Sequence, residues 1–78
     1  IWPNPANDRT TIFFQNNLSE LYFFNLYNLS GEKLLSISTN ENNIQLDCTI
    51  YYSGIYFFTL AQENNNFYKS GKMIINHL

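Results

Sequence analysis

The chain has 78 residues, of which 45% are hydrophobic, 18% aromatic and 13% charged, and its four Lys+Arg against six Asp+Glu give a formal net charge of −2. This excludes a disordered chain, which needs low hydrophobicity and high charge, and it excludes the strongly basic footprint of a nucleic-acid or anionic-membrane binder, because Arg9, Lys33, Lys69 and Lys72 are too few to assemble one. A single domain of this length buries only about 60% of its unfolded surface, so large aromatics fill a small core and leave little room for a catalytic cleft.

At the front, Pro3 and Pro5 fix their own φ and push Trp2 and Asn4 into extended backbone, which predicts a stiff lead-in at a sheet edge. Strands are then predicted over residues 10–15, 21–28, 33–38, 43–47, 54–62 and 67–75. Each is a short run rich in Phe, Tyr, Ile or Leu, bounded by turn residues. Most of the boundaries are asparagine, which tolerates left-handed backbone and closes turns with its side chain: Asn16-Asn17, the stretch 40–43 and Asn64-Asn65-Asn66. Leu29-Ser30-Gly31-Glu32 is a predicted hairpin turn in which Gly31 takes positive φ. Ser53-Gly54 is a tight bend into a strand, and Gly71 is expected to mark a bulge or bend in the last one.

Period two places Tyr22, Phe24 and Leu26 on one face, with Ile44 and Leu46, and then Tyr56, Phe58 and Leu60, facing the same core. Phe23, Tyr27 and Phe57 fall on the opposite faces, so some outer surface is apolar or covered. No segment sustains a period of 3.6. Six or seven short antiparallel strands in so few residues predict an all-β, two-sheet sandwich, with a small open barrel as the second choice.

Little in the sequence points to chemistry. The single histidine, His77, stands beside the chain end and cannot be held with catalytic precision. Asp8, Glu20, Glu32, Glu41, Asp47 and Glu63 fall mainly in or beside turns, as solvated carboxylates do. The one cysteine, Cys48, forms no internal disulfide; with Asp47 alone beside it there is no metal set, and it is expected to be a small buried hydrophobe. No glycine loop cradles phosphate, and no cofactor is expected. Asn17-Leu18-Ser19 and Asn28-Leu29-Ser30 match the glycosylation triplet, but thirteen Asn with eleven Ser+Thr make such matches expected by chance. Trp2, Tyr51, Tyr52 and Phe57 are candidates for a sugar-stacking surface, against the plainer reading that they fill core and edges. Lys69 and Lys72 have a plain use too, keeping an edge strand soluble.

The punctuation forms a pattern in order along the whole chain: Trp2-Pro3-Asn4-Pro5-Ala6-Asn7-Asp8, Leu26-Tyr27-Asn28-Leu29-Ser30-Gly31, Gly54-Ile55-Tyr56, and Lys72-Met73-Ile74-Ile75. It resembles the C-terminal sorting domain of type IX secretion system cargo. That resemblance implies an immunoglobulin-like antiparallel β-sandwich and a non-catalytic address label, read by the outer-membrane translocation machinery and typically removed by a sortase-like cysteine peptidase. The cargo then ends up secreted or on the cell surface, having passed through the periplasm. The positions that match the family's motifs are Pro3, Asn4, Pro5, Ala6, Gly31, Gly54, Tyr56, Lys69 and Lys72. Tyr51 stands where leucine is common, Trp2 replaces a usual tyrosine, and the terminal lysines are separated where adjacent ones are frequent.

On this reading residues 1–78 are one sorting domain excised from a larger secreted protein, a view that the absence of an initial methionine and of a signal peptide supports. The partners are the secretion machinery, the peptidase and the upstream cargo, without nucleic acid or membrane insertion. The alternatives are a carbohydrate-binding or adhesion module on a secreted enzyme, or a spacer packed on a catalytic neighbour. The uncharged, β-prone segments 21–27 and 55–60 further predict self-association through strands.

Overall fold

The structure, a computed structural model, describes residues 9–16, 20–63 and 68–76. Within them lie six strands: β1 (Arg9–Phe13), β2 (Tyr22–Tyr27), β3 (Lys33–Thr39), β4 (Asn43–Asp47), β5 (Gly54–Gln62) and β6 (Tyr68–Ile75). All pairings are antiparallel. A four-stranded sheet runs in the order β3-β2-β5-β6, and β1 and β4 form a two-stranded sheet against it. The result is a sandwich-like all-β fold, as the sequence predicts, with every strand boundary within two residues of its expected place.

The periodicity explains the packing. Tyr22, Phe24 and Leu26 of β2, Tyr56, Phe58 and Leu60 of β5, and Met73 and Ile75 of β6 turn inward to meet Ile12, Ile44 and Leu46 from the smaller sheet. Each fully buried Leu, Ile or Phe contributes about 1.5–3 kcal/mol from the area it removes from water. The rings of Phe24 and Phe58 stack across β2 and β5 with centroids 6.0 Å apart and planes 17° from parallel. Cys48, just beyond β4, is fully buried in this core as the expected small hydrophobe.

Two irregularities differ from expectation. The β5–β6 ladder runs in continuous register through Gly71, which pairs with Phe58, so that glycine marks no bulge. Its conformation is dictated from across the strand pair: a Cβ at Gly71 would sit 2.8 Å from Phe58 Cε1 and 2.9 Å from Cζ, inside contact distance. The register shift occurs instead between β2 and β3, where Leu26 pairs with Leu35 and Tyr27 with Lys33. Leu34 is the extra residue, and both Leu34 and Leu35 pack against the core.

Candidate functional site

Of the motif positions within the described residues, Gly31, Gly54 and Tyr56 lie at one end of the sandwich, with the β2–β3 turn, the β4–β5 connection and the start of β1, whereas Lys72 lies mid-strand and Lys69 towards the other end. β1 begins there, with Arg9 opposite Asp47. Pro3, Asn4, Pro5 and Ala6, together with Trp2 and His77, lie outside the described residues, as do the triplet at Asn17 and the cluster at Asn64.

Gly31 closes the β2–β3 turn at φ +86°, the left-handed region that the sequence assigns to it. The turn is organised by Asn28. Its Oδ1 accepts from the backbone N–H groups of Ser30 and Glu32, both at 3.0 Å, and its Nδ2 donates to Glu32 Oε1 at 3.1 Å. Its own carbonyl accepts from Gly31 N–H at 3.0 Å. Asn28 is therefore needed as a side chain within the turn, a role its chance match to a glycosylation triplet obscures.

Gly54 opens β5 opposite Ile75, and two residues later Tyr56 turns inward. Its hydroxyl donates to the Tyr52 carbonyl at 2.6 Å, its ring packs against Tyr51 at 5.9 Å between centroids, and Tyr51 N–H donates to the Cys48 carbonyl at 3.2 Å. Tyr56 thus fastens the connection from β4 to the sheet. Burial pushes the hydroxyl pKa values of Tyr51 and Tyr56 up, and nearby Cys48 adds a smaller push in the same direction. At the mouth of the same connection, hydrogen bonds from the Thr49 hydroxyl, at 2.6 Å, and then from its backbone N–H, at 3.0 Å, hold the Asp47 carboxyl below its ordinary range.

The two lysines of β6 do not act together. Lys72 pairs with exposed Phe57 and points outward, whereas Lys69 pairs with Leu60 and falls on the other face, beyond the covered core. The aromatic candidates divide likewise. Tyr51 is partly buried against the core, Tyr52 is 91% exposed and Phe57 42% exposed, so they form no common stacking platform.

At the opposite end, Asn16 ties two loops together. Its Nδ2 lies within hydrogen-bonding distance of three carbonyls, those of Glu20 (2.9 Å), Asn40 (3.1 Å) and Glu41 (2.8 Å), while its Oδ1 accepts from Glu20 N–H at 2.8 Å. The sequence marks Asn16 only as a turn residue, since its partners near position 40 are distant along the chain. An open depression lies beside it, lined by Asn16, Asn40, Glu41 and Asn42. Among the described residues no group of His, Cys, Asp or Glu is placed to hold a metal ion, and no helix is long and apolar enough to cross a membrane.

With this geometry in place, comparison with known families is specific. Residues 1–76 match the family described as the secretion system C-terminal sorting domain, and the chain belongs to that family. No curated protein matches it. The family's members are non-catalytic signals for type IX secretion. The domain accordingly sends an upstream cargo through that machinery, across the outer membrane to the cell surface or the exterior. The carbohydrate-binding alternative has no support in this match.

Proposed function

We propose that residues 1–78 are the whole sorting domain of a larger secreted protein, without catalytic activity of their own, and that a sortase-like peptidase removes the domain after export. The observation that carries this reading is the family match over 1–76. The motif residues would then divide by role. Gly31, Gly54 and Tyr56 shape one end of the sandwich through a positive-φ turn and a buried tyrosine anchor, and recognition reads that shape. Pro3, Asn4, Pro5 and Ala6, which lie outside the described residues, would serve as the front motif that the machinery reads, while Lys69 and Lys72 supply charge on the two faces of β6.

Strand-mediated self-association is confined to unfolded chains on this view. The β-prone segments occupy β2 and β5, each hydrogen-bonded to a neighbour on both sides, so the folded domain shields them. The test is a reporter bearing a signal peptide and residues 1–78, followed by mass spectrometry of the exported product. Loss of at least the domain's 9.2 kDa supports removal by a peptidase. Export of intact fusion alone contradicts it.

A further inference from the structure

The outer face of the four-stranded sheet carries a row of side chains that crosses all its strands. In register, Lys33 on β3 pairs with Tyr27 on β2, Tyr27 with Phe57 on β5, and Phe57 with Lys72 on β6. Two aromatic residues are therefore cross-strand neighbours with a lysine on each edge strand, the lysine backbones about 14 Å apart at ordinary strand spacing. A second apolar pair adjoins the row: Ile55 and its register partner Ile74 are 41% and 37% exposed, beside Phe57 at 42%. Scattered apolar residues on a surface are ordinary, but neighbouring ones on one sheet face form a patch.

The charge around this patch is one-sided. The chain is acidic overall, yet the charged strand residues that point outward from this sheet are both lysines. Four of the five described carboxylates lie elsewhere. Asp47 is on the smaller sheet opposite Arg9, and Glu20, Glu41 and Glu63 belong to loops at the far end. Glu32 sits in the turn beside Lys33, where its carboxylate accepts from Asn28 Nδ2. A second copy offering the same face would bring lysines towards lysines, and two lysines are fewer than an anionic lipid surface needs.

We infer that this face docks a protein partner whose surface presents an apolar strip bordered by carboxylates. The inference rests on the sorting function, which makes that partner a component of the export apparatus. Tyr27, Phe57, Ile55 and Ile74 supply the apolar contact, and Lys33 and Lys72 set register and exclude partners of the wrong charge.

The test uses the reporter fusion in cells with an intact type IX system, with photoreactive benzoylphenylalanine in place of Ile55. The wild-type fusion gives a crosslinked protein adduct on illumination. K33Q/K72Q is expected to lose the adduct and lower export about ten-fold, the scale of one lost charged contact, while the purified variant keeps its melting temperature. Gln15→Glu/Gln45→Glu makes the same change in net charge at exposed positions off this face, and its export is expected to be unchanged. If K33Q/K72Q exports and crosslinks like wild type, or if the control lowers export equally, the inference is overturned. An adduct of two fusions, identifying a second copy as the occupant, overturns it too. Failure of the unmodified fusion to leave the cell counts against the sorting function itself and is seen before any variant is compared.

Discussion

The Phe58 ring fills the space that a side chain at Gly71 would need, with its Cε1 2.8 Å from where a Cβ would stand, across a register pair joining β5 to β6. Phe58 cannot yield easily, because it is buried and stacked on Phe24. Gly71→Ala is therefore expected to destabilise the domain by about 1–3 kcal/mol, the usual scale of overpacking, lowering the melting temperature by roughly 4–8 °C for each kcal/mol. In the double variant with Phe58→Leu the penalties should fall short of their sum, since the second change opens the space that the first needs. Strict additivity in thermal melts would show that the contact carries no strain.

The strands were legible because apolar residues alternate in β2, β4 and β5, and asparagines and glycines mark where those runs stop. Which strands pair was not. Nothing local in Arg9–Phe13 says that it joins Asn43–Asp47 and not β2, because partnership is settled by packing over long sequence separations. Gly71 departs from its expected bulge for the same reason: its need for a bare Cα comes from a ring on another strand. In the site, the role of Gly31 followed from a local turn rule, and its observed φ agrees. The tethering by Asn16 and the anchoring of the Tyr52 carbonyl by Tyr56 have no local signature, because the sequence holds equally plausible polar residues at neighbouring turns. That Lys69 and Lys72 face opposite ways follows from their odd spacing in a strand.

Gly31→Ala places a Cβ in left-handed backbone with open space around it, so the cost is conformational, about 1–2 kcal/mol. Gly31→Asn should cost less, since asparagine visits that region more readily. If export follows stability across the two variants, Gly31 acts through shape; export lost in the stable Asn variant would mean that the bare glycine itself is contacted.

Asn16→Ala removes the side chain that joins the loop after β1 to the loop between β3 and β4. Because these groups are partly exposed and water can replace some bonds, the expected cost is about 1–2 kcal/mol. Hydrogen exchange should speed up at Glu20, whose N–H loses its acceptor, and stay unchanged at Gly31 in the turn at the other end. Uniform acceleration at both ends would contradict a local tether.

The tyrosines predict alkaline sensitivity. The folded pKa values of Tyr51 and Tyr56 lie above their unfolded values, so their contribution is fully present below about pH 10 and is lost as pH rises from there through the folded values. Tyr56→Phe should lose about 1 kcal/mol at neutral pH with the hydrogen bond to Tyr52, and its stability should decline less steeply in alkali. Equal slopes for the two proteins in denaturant titrations at rising pH would count against this.

Asp47 works in the opposite sense. Its folded pKa is lowered by the Thr49 hydrogen bonds, so its contribution is present above about pH 4 and lost as pH falls through the folded value. Thr49→Ala should flatten the acid limb of the stability profile, and an unchanged limb would show that these exposed bonds do not matter in solution.

The central claim is tested most directly by fusing residues 1–78 to the C-terminus of a reporter with an ordinary signal peptide, and comparing a bacterium that has an intact type IX system with its translocon-null counterpart. The account predicts reporter outside the intact cells and retained in the periplasm of the null strain. Periplasmic reporter in both strains, with the domain shown to be folded, would contradict it.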